Sequence, residues 1–173
     1  AAVLDYSARI DKSTLTAETV RVPADELVAG ANDIAQIVYA ERAQVAVARA
    51  ERLASTLAPA ALMAGDLTTL QPALTAELAA TSTGMVELYR VAAAPGAAPD
   101  AVFLTSVGES SMPRAHAMAS ADRLAARVAV SGKSDKQDDQ IGEGLLIRAA
   151  APVRGPSNVI VGVVVASEAL NGK

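Results

Sequence analysis

GLLIRAAAPVRGPSNVIVGVVVASEAL, residues 144–170, holds two apolar runs of strand length on either side of a turn. Leu145 to Val153 reads as one strand, RGPSN as a turn marked by Gly155 and Pro156, and Val159 to Leu170 as the next strand. The second run is apolar on both faces, which predicts a central strand with a layer packed on each side. Its longest apolar stretch, Val159 to Ala166, has eight residues, far short of the roughly 20 that a membrane-spanning helix needs. Arg148 interrupts the first run. It shares a face with Leu146 and Ala150, so if buried its guanidinium needs a carboxylate, either from the chain, where Glu87 is the candidate, or from a ligand; otherwise it lies on a solvated edge.

Working back from this pair, SDKQDDQIGEG (residues 134–144) reads as a polar loop, and the segment before it as a helix of about 17 residues from near Pro113 to Ser131, capped by Gly132. MVELYRVA (85–92) and AVFLTSV (101–107), joined by a Pro/Gly loop, predict a hairpin. Alternation on its first strand sets Val86, Leu88 and Arg90 on one face and Met85, Glu87 and Tyr89 on the other. Leucines spaced three to five residues apart between Leu62 and Ala80, broken by Pro72, predict short helices. Ala24 to about Ala58 predicts one long helix of about 50 Å. Its apolar stripe comprises Leu27, Ile34, Val38 and Val45 and drifts on to Leu53 and Leu57. Residues 1–22 read as a further helical stretch. The expected order is long helix, strand, strand, helix, strand, strand, with a helical region over 1–60 and a core over 61–173.

Composition narrows the function. The chain has 173 residues, 51% of them hydrophobic, no cysteine, one histidine and a net charge of −4. Forty residues are alanine, which favours helix because alanine loses no side-chain entropy there. Thiolate chemistry and cysteine-ligated metals are excluded. An acidic chain with three tyrosines, one phenylalanine and no tryptophan does not fit nucleic-acid binding.

Catalytic motifs fail on inspection. Gly132-Lys133-Ser134 lacks the first glycine of a phosphate loop, whose place is taken by Arg127. GESSM (108–112) lacks the second glycine of a nucleophile elbow. Asp135, Asp138, Asp139 and Glu143 miss the calcium-loop spacing and read as a solvated acidic loop. No catalytic residue, metal ligand or cofactor is assigned. The ligand-binding candidates are Tyr89, Arg90, Arg114, His116 and Arg148, the arginines pointing to an anionic metabolite.

With the helix, the polar segment and the two terminal strands in place, the chain resembles extracytoplasmic PAS-like sensor domains, known as Cache or PDC domains. In that family the last two strands read as an "aaPV" strand, a short turn and a "viGvvvvse.l" strand, matched here by Ala150 to Val153 and Ile160 to Leu170. The long helix followed by GMVELYRV is similar to the periplasmic region of NtrY-like sensor histidine kinases. The resemblance implies an α+β fold, a PAS-like antiparallel sheet of five or six strands backed by the long N-terminal helix. It also implies a small-molecule pocket on the sheet's other face and a homodimer through the helix. The whole would lie between transmembrane helices outside this sequence, with a kinase or other transmitter beyond them. A start at Ala-Ala rather than Met fits a piece of a longer protein. The expected function is therefore non-enzymatic: periplasmic ligand sensing in a two-component receptor or chemoreceptor, or alternatively dimerisation or protein interaction without a ligand.

Overall fold

The computed structural model describes residues 24–79, 84–93, 96–108, 114–141 and 144–169, with side chains described over 28–79, 84–93, 96–108, 119–139 and 145–168. The helical stretch expected over 1–22 lies outside them. Helices α1 (Ala24–Thr56), α2 (Pro59–Ala64) and α3 (Leu67–Ala79) precede strands β1 (Met85–Ala92) and β2 (Asp100–Gly108). Helix α4 (Arg114–Ser131) then leads to β3 (Asp135–Ile141), β4 (Gly144–Arg154), a 3₁₀ turn at Pro156–Asn158 and β5 (Ile160–Ala169). The architecture is α+β, with a long N-terminal helix and one five-stranded sheet in the order β2-β1-β5-β4-β3. Every neighbouring pair is antiparallel. Among the described residues no helix is long and apolar enough to cross a membrane.

The chain divides into two compact units, Ala1–Val38 and Tyr39–Lys173. In the first, the described residues are the N-terminal part of α1, where Val28, Ile34, Ile37 and Val38 are exposed. The second contains everything else, including residues 39–60, which the sequence reading groups with the N-terminal helical region.

β5 is central, as its two-sided apolar run predicts, and its alternation divides the core of the second unit. Val164 faces a layer formed by Leu53 of α1, Leu57 just after it, Leu62 of α2, and Leu70 and Leu74 of α3. Val163 and Val165 face Leu124, Ala125 and Val128 of α4. A third cluster sets Ala43, Ala46 and Ala50 of α1 against Ile147, Ala149, Ala151 and Ala166.

Two expectations need correction. The buried face of α1 over 39–56 runs Ala43, Ala46, Ala50, Leu53, whereas Ile34 is 65% exposed and Val45 43%. Alanine set against alanine on β4 and β5 allows closer approach than a row of β-branched side chains, so the small residues form the contact. Nor is the polar segment after α4 a loop, because it contains β3. Asp135, Gln137 and Asp139 engage Arg127, Ser120 and Arg148, while Lys136 and Asp138 engage Tyr39 of α1. The strand's period of two is thus expressed through polar partners. Pairing of β3 with β4 ends at Ala150, so Pro152, which has no N–H to give, lies where β4 keeps only β5 beside it.

Gly132, at φ +66°, closes α4 by donating its N–H to Val128 at 2.9 Å, as its place after the helix predicts. Gly162 on β5 serves a different need: a Cβ there would overlap Leu62 Cδ2 and come 2.7 Å from the Tyr89 carbonyl oxygen. Gly162→Ala should therefore cost about 1–3 kcal/mol through overpacking, read as a lower urea midpoint with unchanged slope. An unchanged midpoint would show that α2 yields freely.

Candidate functional site

Six polar residues of the sheet gather on the face covered by α4. β1 contributes Glu87 and Tyr89, β4 contributes Arg148, β5 contributes Ser167 and β3 contributes Gln137 and Asp139. Arg148 has no exposed surface and Glu87 is 2% exposed. The guanidinium donates from Nη1 to Glu87 Oε2 at 3.0 Å and to Ser167 Oγ at 3.2 Å, and from Nε to Asp139 Oδ2 at 2.7 Å. Ser120 of α4 donates its hydroxyl to Asp139 at 2.5–2.7 Å, and Gln137 Nε2 donates to Ser120 and Asp139 at 2.6 and 3.1 Å. One cation therefore serves two carboxylates from different strands, and a helix is fastened to the second.

The electrostatics follow from that sharing. Burial, with help from the negative charge of Asp122, lifts the Glu87 carboxyl to about 7 against the pull of Arg148. Burial also raises Asp139, but donors on Ser120, Arg148 and Gln137 outweigh it and hold the carboxyl below its ordinary range. Tyr89 is packed edge-on to Phe103 with ring centres 5.7 Å apart. Its hydroxyl is fully buried, and among the described residues no partner meets it in good hydrogen-bonding geometry, although the Asp122 carboxylate lies near enough to act on it as an acceptor. Burial first, then the charges of Glu87 and Asp122, raise its pKa well above that of a free phenol.

On the opposite face, Glu168 of β5 receives Arg42 of α1 at 2.6 Å and lies 3.5 Å from Arg49, which is almost wholly buried. Ser167 and Glu168 are consecutive, so one strand joins the α4 face to α1. A cleft of about 490 Å³ lies elsewhere, lined by Glu51, Leu57, Ser134, Pro152 and Arg154 among others.

Of the sequence candidates, Tyr89 and Arg148 come together. Arg90 is half-buried and, by alternation, falls on the face of Val86 and Leu88, away from them. Arg114 and His116 begin α4, but their side chains lie outside the described residues, as do Ser110, Ser111 and Glu143. The sequence reading missed Ser120, Ser167, Arg49 and Glu168 as parts of a polar framework. The signal for Glu168 was available: a carboxylate in a strand apolar on both faces requires a cation. Among the described residues no group of three or more metal-ligating side chains occurs. No protein-family model matches the chain, and no curated protein matches it at significant similarity.

The geometry gives Arg148 a structural role as counter-ion to Glu87 and Asp139, so Arg148→Ala should weaken the fold itself. Its removal should cost about 3–5 kcal/mol, because it strands the buried Glu87 carboxylate and takes a donor from the partly buried Asp139. Urea unfolding measures this, and a loss below about 1 kcal/mol would mean that water reaches the carboxylates.

Proposed function

We propose that this chain is an extracytoplasmic PAS-like sensor domain of the Cache or PDC kind, belonging to a membrane receptor such as a two-component histidine kinase. The observation that carries this reading is where the resembling segments fall: Ala150 to Val153 lies within β4, and Ile160 to Ala169, the described part of the second segment, is the adjoining strand β5. These lie in a five-stranded antiparallel sheet to which a long N-terminal helix contributes alanines on one face. The ligand face is the one under α4. There the buried Tyr89 hydroxyl, with Ser120 and Asp122 on the helix above, offers a small polar molecule a hydrogen bond. Arg148 is already held by two carboxylates, so an anionic ligand would draw on Arg114 or His116 instead.

Binding at this face would bias one arrangement of α4 and the sheet over another. The Ser167–Glu168 step on β5 carries such a change to Arg42 and Arg49 of α1. In the receptor, α1 is the element that enters from the membrane, and homodimerisation runs through its exposed Ile34, Val38 and Val45. That exposed stripe also favours the second reading, a dimerisation module without a ligand.

A thermal-shift screen against carboxylates, amino acids, nitrogen compounds and phosphates tests the sensor reading, since a ligand for the native state raises the melting temperature. A saturable rise for one class is expected, with affinity weakened about three- to tenfold in Tyr89→Phe, the worth of one hydrogen bond. No rise for any class would overturn it. In analytical ultracentrifugation the chain should dimerise with increasing concentration, and Ile34→Glu with Val45→Glu should leave it monomeric. Dimers that survive both changes would remove α1 as the interface.

A further inference from the structure

We propose that Glu87 is a proton-binding site, and that its protonation sets how firmly α4 is held over the sheet. The argument stands apart from the sensor reading, because it holds whether or not a small molecule binds.

The two carboxylates that share Arg148 are not equivalent. Asp139 accepts from Ser120, Gln137 and Arg148, and three donors stabilise its ionised form. Among the described residues Glu87 accepts from Arg148 alone, at 3.0 Å, in a site where the carboxylate is 2% exposed and the guanidinium not at all. When both acids are ionised, one guanidinium faces two negative charges, and of the two carboxylates Glu87 is the one water reaches least, at 2% exposed against 15% for Asp139. A single proton removes the surplus, and the less-supported oxygen pair, that of Glu87, is where it goes. The upward displacement of Glu87 to about 7 agrees with this geometry.

The titratable and charged groups facing Glu87 among the described residues are Tyr89 on its own strand, Arg148 on β4, Asp139 on β3 and Asp122 on α4. Its neighbours on β2 and β5 are neutral: Ser106 stands opposite it in the ladder, and Ser167 accepts from the same guanidinium nitrogen. α4 touches the cluster twice, through the Ser120 hydroxyl on Asp139 and through the charge of Asp122. Ionising Glu87 therefore places a second negative charge beneath Asp122 and draws Arg148 between two ionised claimants. Protonating it leaves Asp139 as the ionised carboxylate on Arg148 among the described residues, and Asp139 in turn holds Ser120.

The sign of the effect is fixed by comparing the folded and unfolded chains. Glu87 titrates at about 7 when folded against an ordinary value of 4.5, so the folded chain binds the proton more tightly. The resulting stability is full below 4.5 and fades as pH rises through 7. Between pH 6 and pH 8 the unfolding equilibrium constant should rise about tenfold from this group.

The test uses the whole chain, with His116→Gln introduced throughout, because the ordinary range of a histidine overlaps this window. The Glu87 side-chain carboxyl, followed by carbon-13 NMR, should titrate near 7, and a midpoint near 4.5 overturns the proposal. Amide-exchange protection over residues 119–131 should fall from pH 6 to pH 8 in this protein and stay level once Glu87→Gln is added. Equal behaviour of the two overturns the link to α4. Asp139→Asn leaves the guanidinium to Glu87, so the midpoint should move down; a midpoint that does not move overturns the sharing of Arg148 as the cause.

Discussion

Arg148 binds together four of the five strands. It stands on β4, reaches Glu87 on β1, Asp139 on β3 and Ser167 on β5, and through Asp139 meets α4. A guanidinium without exposure to water is tolerated only when such acceptors surround it. The register of β1, β3 and β5 against β4 is therefore constrained by charge as well as by apolar burial. A slip of one residue on β1 would turn Glu87 to the opposite face and leave Arg148 short of a carboxylate.

The other face obeys a different rule. There α1 meets the sheet mainly through methyl groups, Ala43, Ala46 and Ala50 against Ala149, Ala151 and Ala166. Each contact buries little area, so the face relies on close approach over a long run and on leucines where α2 and α3 widen the layer. The ion pairs of Arg42 and Arg49 with Glu168 supply what alanine cannot, a fixed rotational setting of α1 against β5.

The parts legible in the sequence were those whose apolar period is undisturbed. β4, the 3₁₀ turn and β5 follow from GLLIRAAAPVRGPSNVIVGVVVASEAL, and Gly132 marks the end of α4. The hairpin of β1 and β2 and the sidedness of Glu87 and Tyr89 follow from alternation. β3 was illegible because DKQDDQI carries its alternation in hydrogen-bonding partners, which no hydropathy pattern shows. The buried face of α1 was misread because hydropathy ranks Ile34 and Val45 above alanine, whereas close packing on a sheet of alanines selects the smaller residue. Arg148 was recognised as anomalous, and Glu87 was named as a partner. Asp139, midway through what the sequence presents as a loop, is beyond inference without β3.

The same polar strand governs what the sheet does at its border. β3 is an outermost strand, and an unpaired ladder of N–H and C=O groups is a template on which foreign strands can grow. Here that border carries Asp135, Lys136, Asp138 and Asp139 within five residues, so an incoming strand would have to bring its own backbone up against closely spaced carboxylates. The opposite border, β2, carries Ala101, Val102, Phe103 and Leu104 in succession, with Val102 exposed. The two margins of the sheet are thus unequal in their resistance to aggregation, and self-association by strand addition would begin at β2.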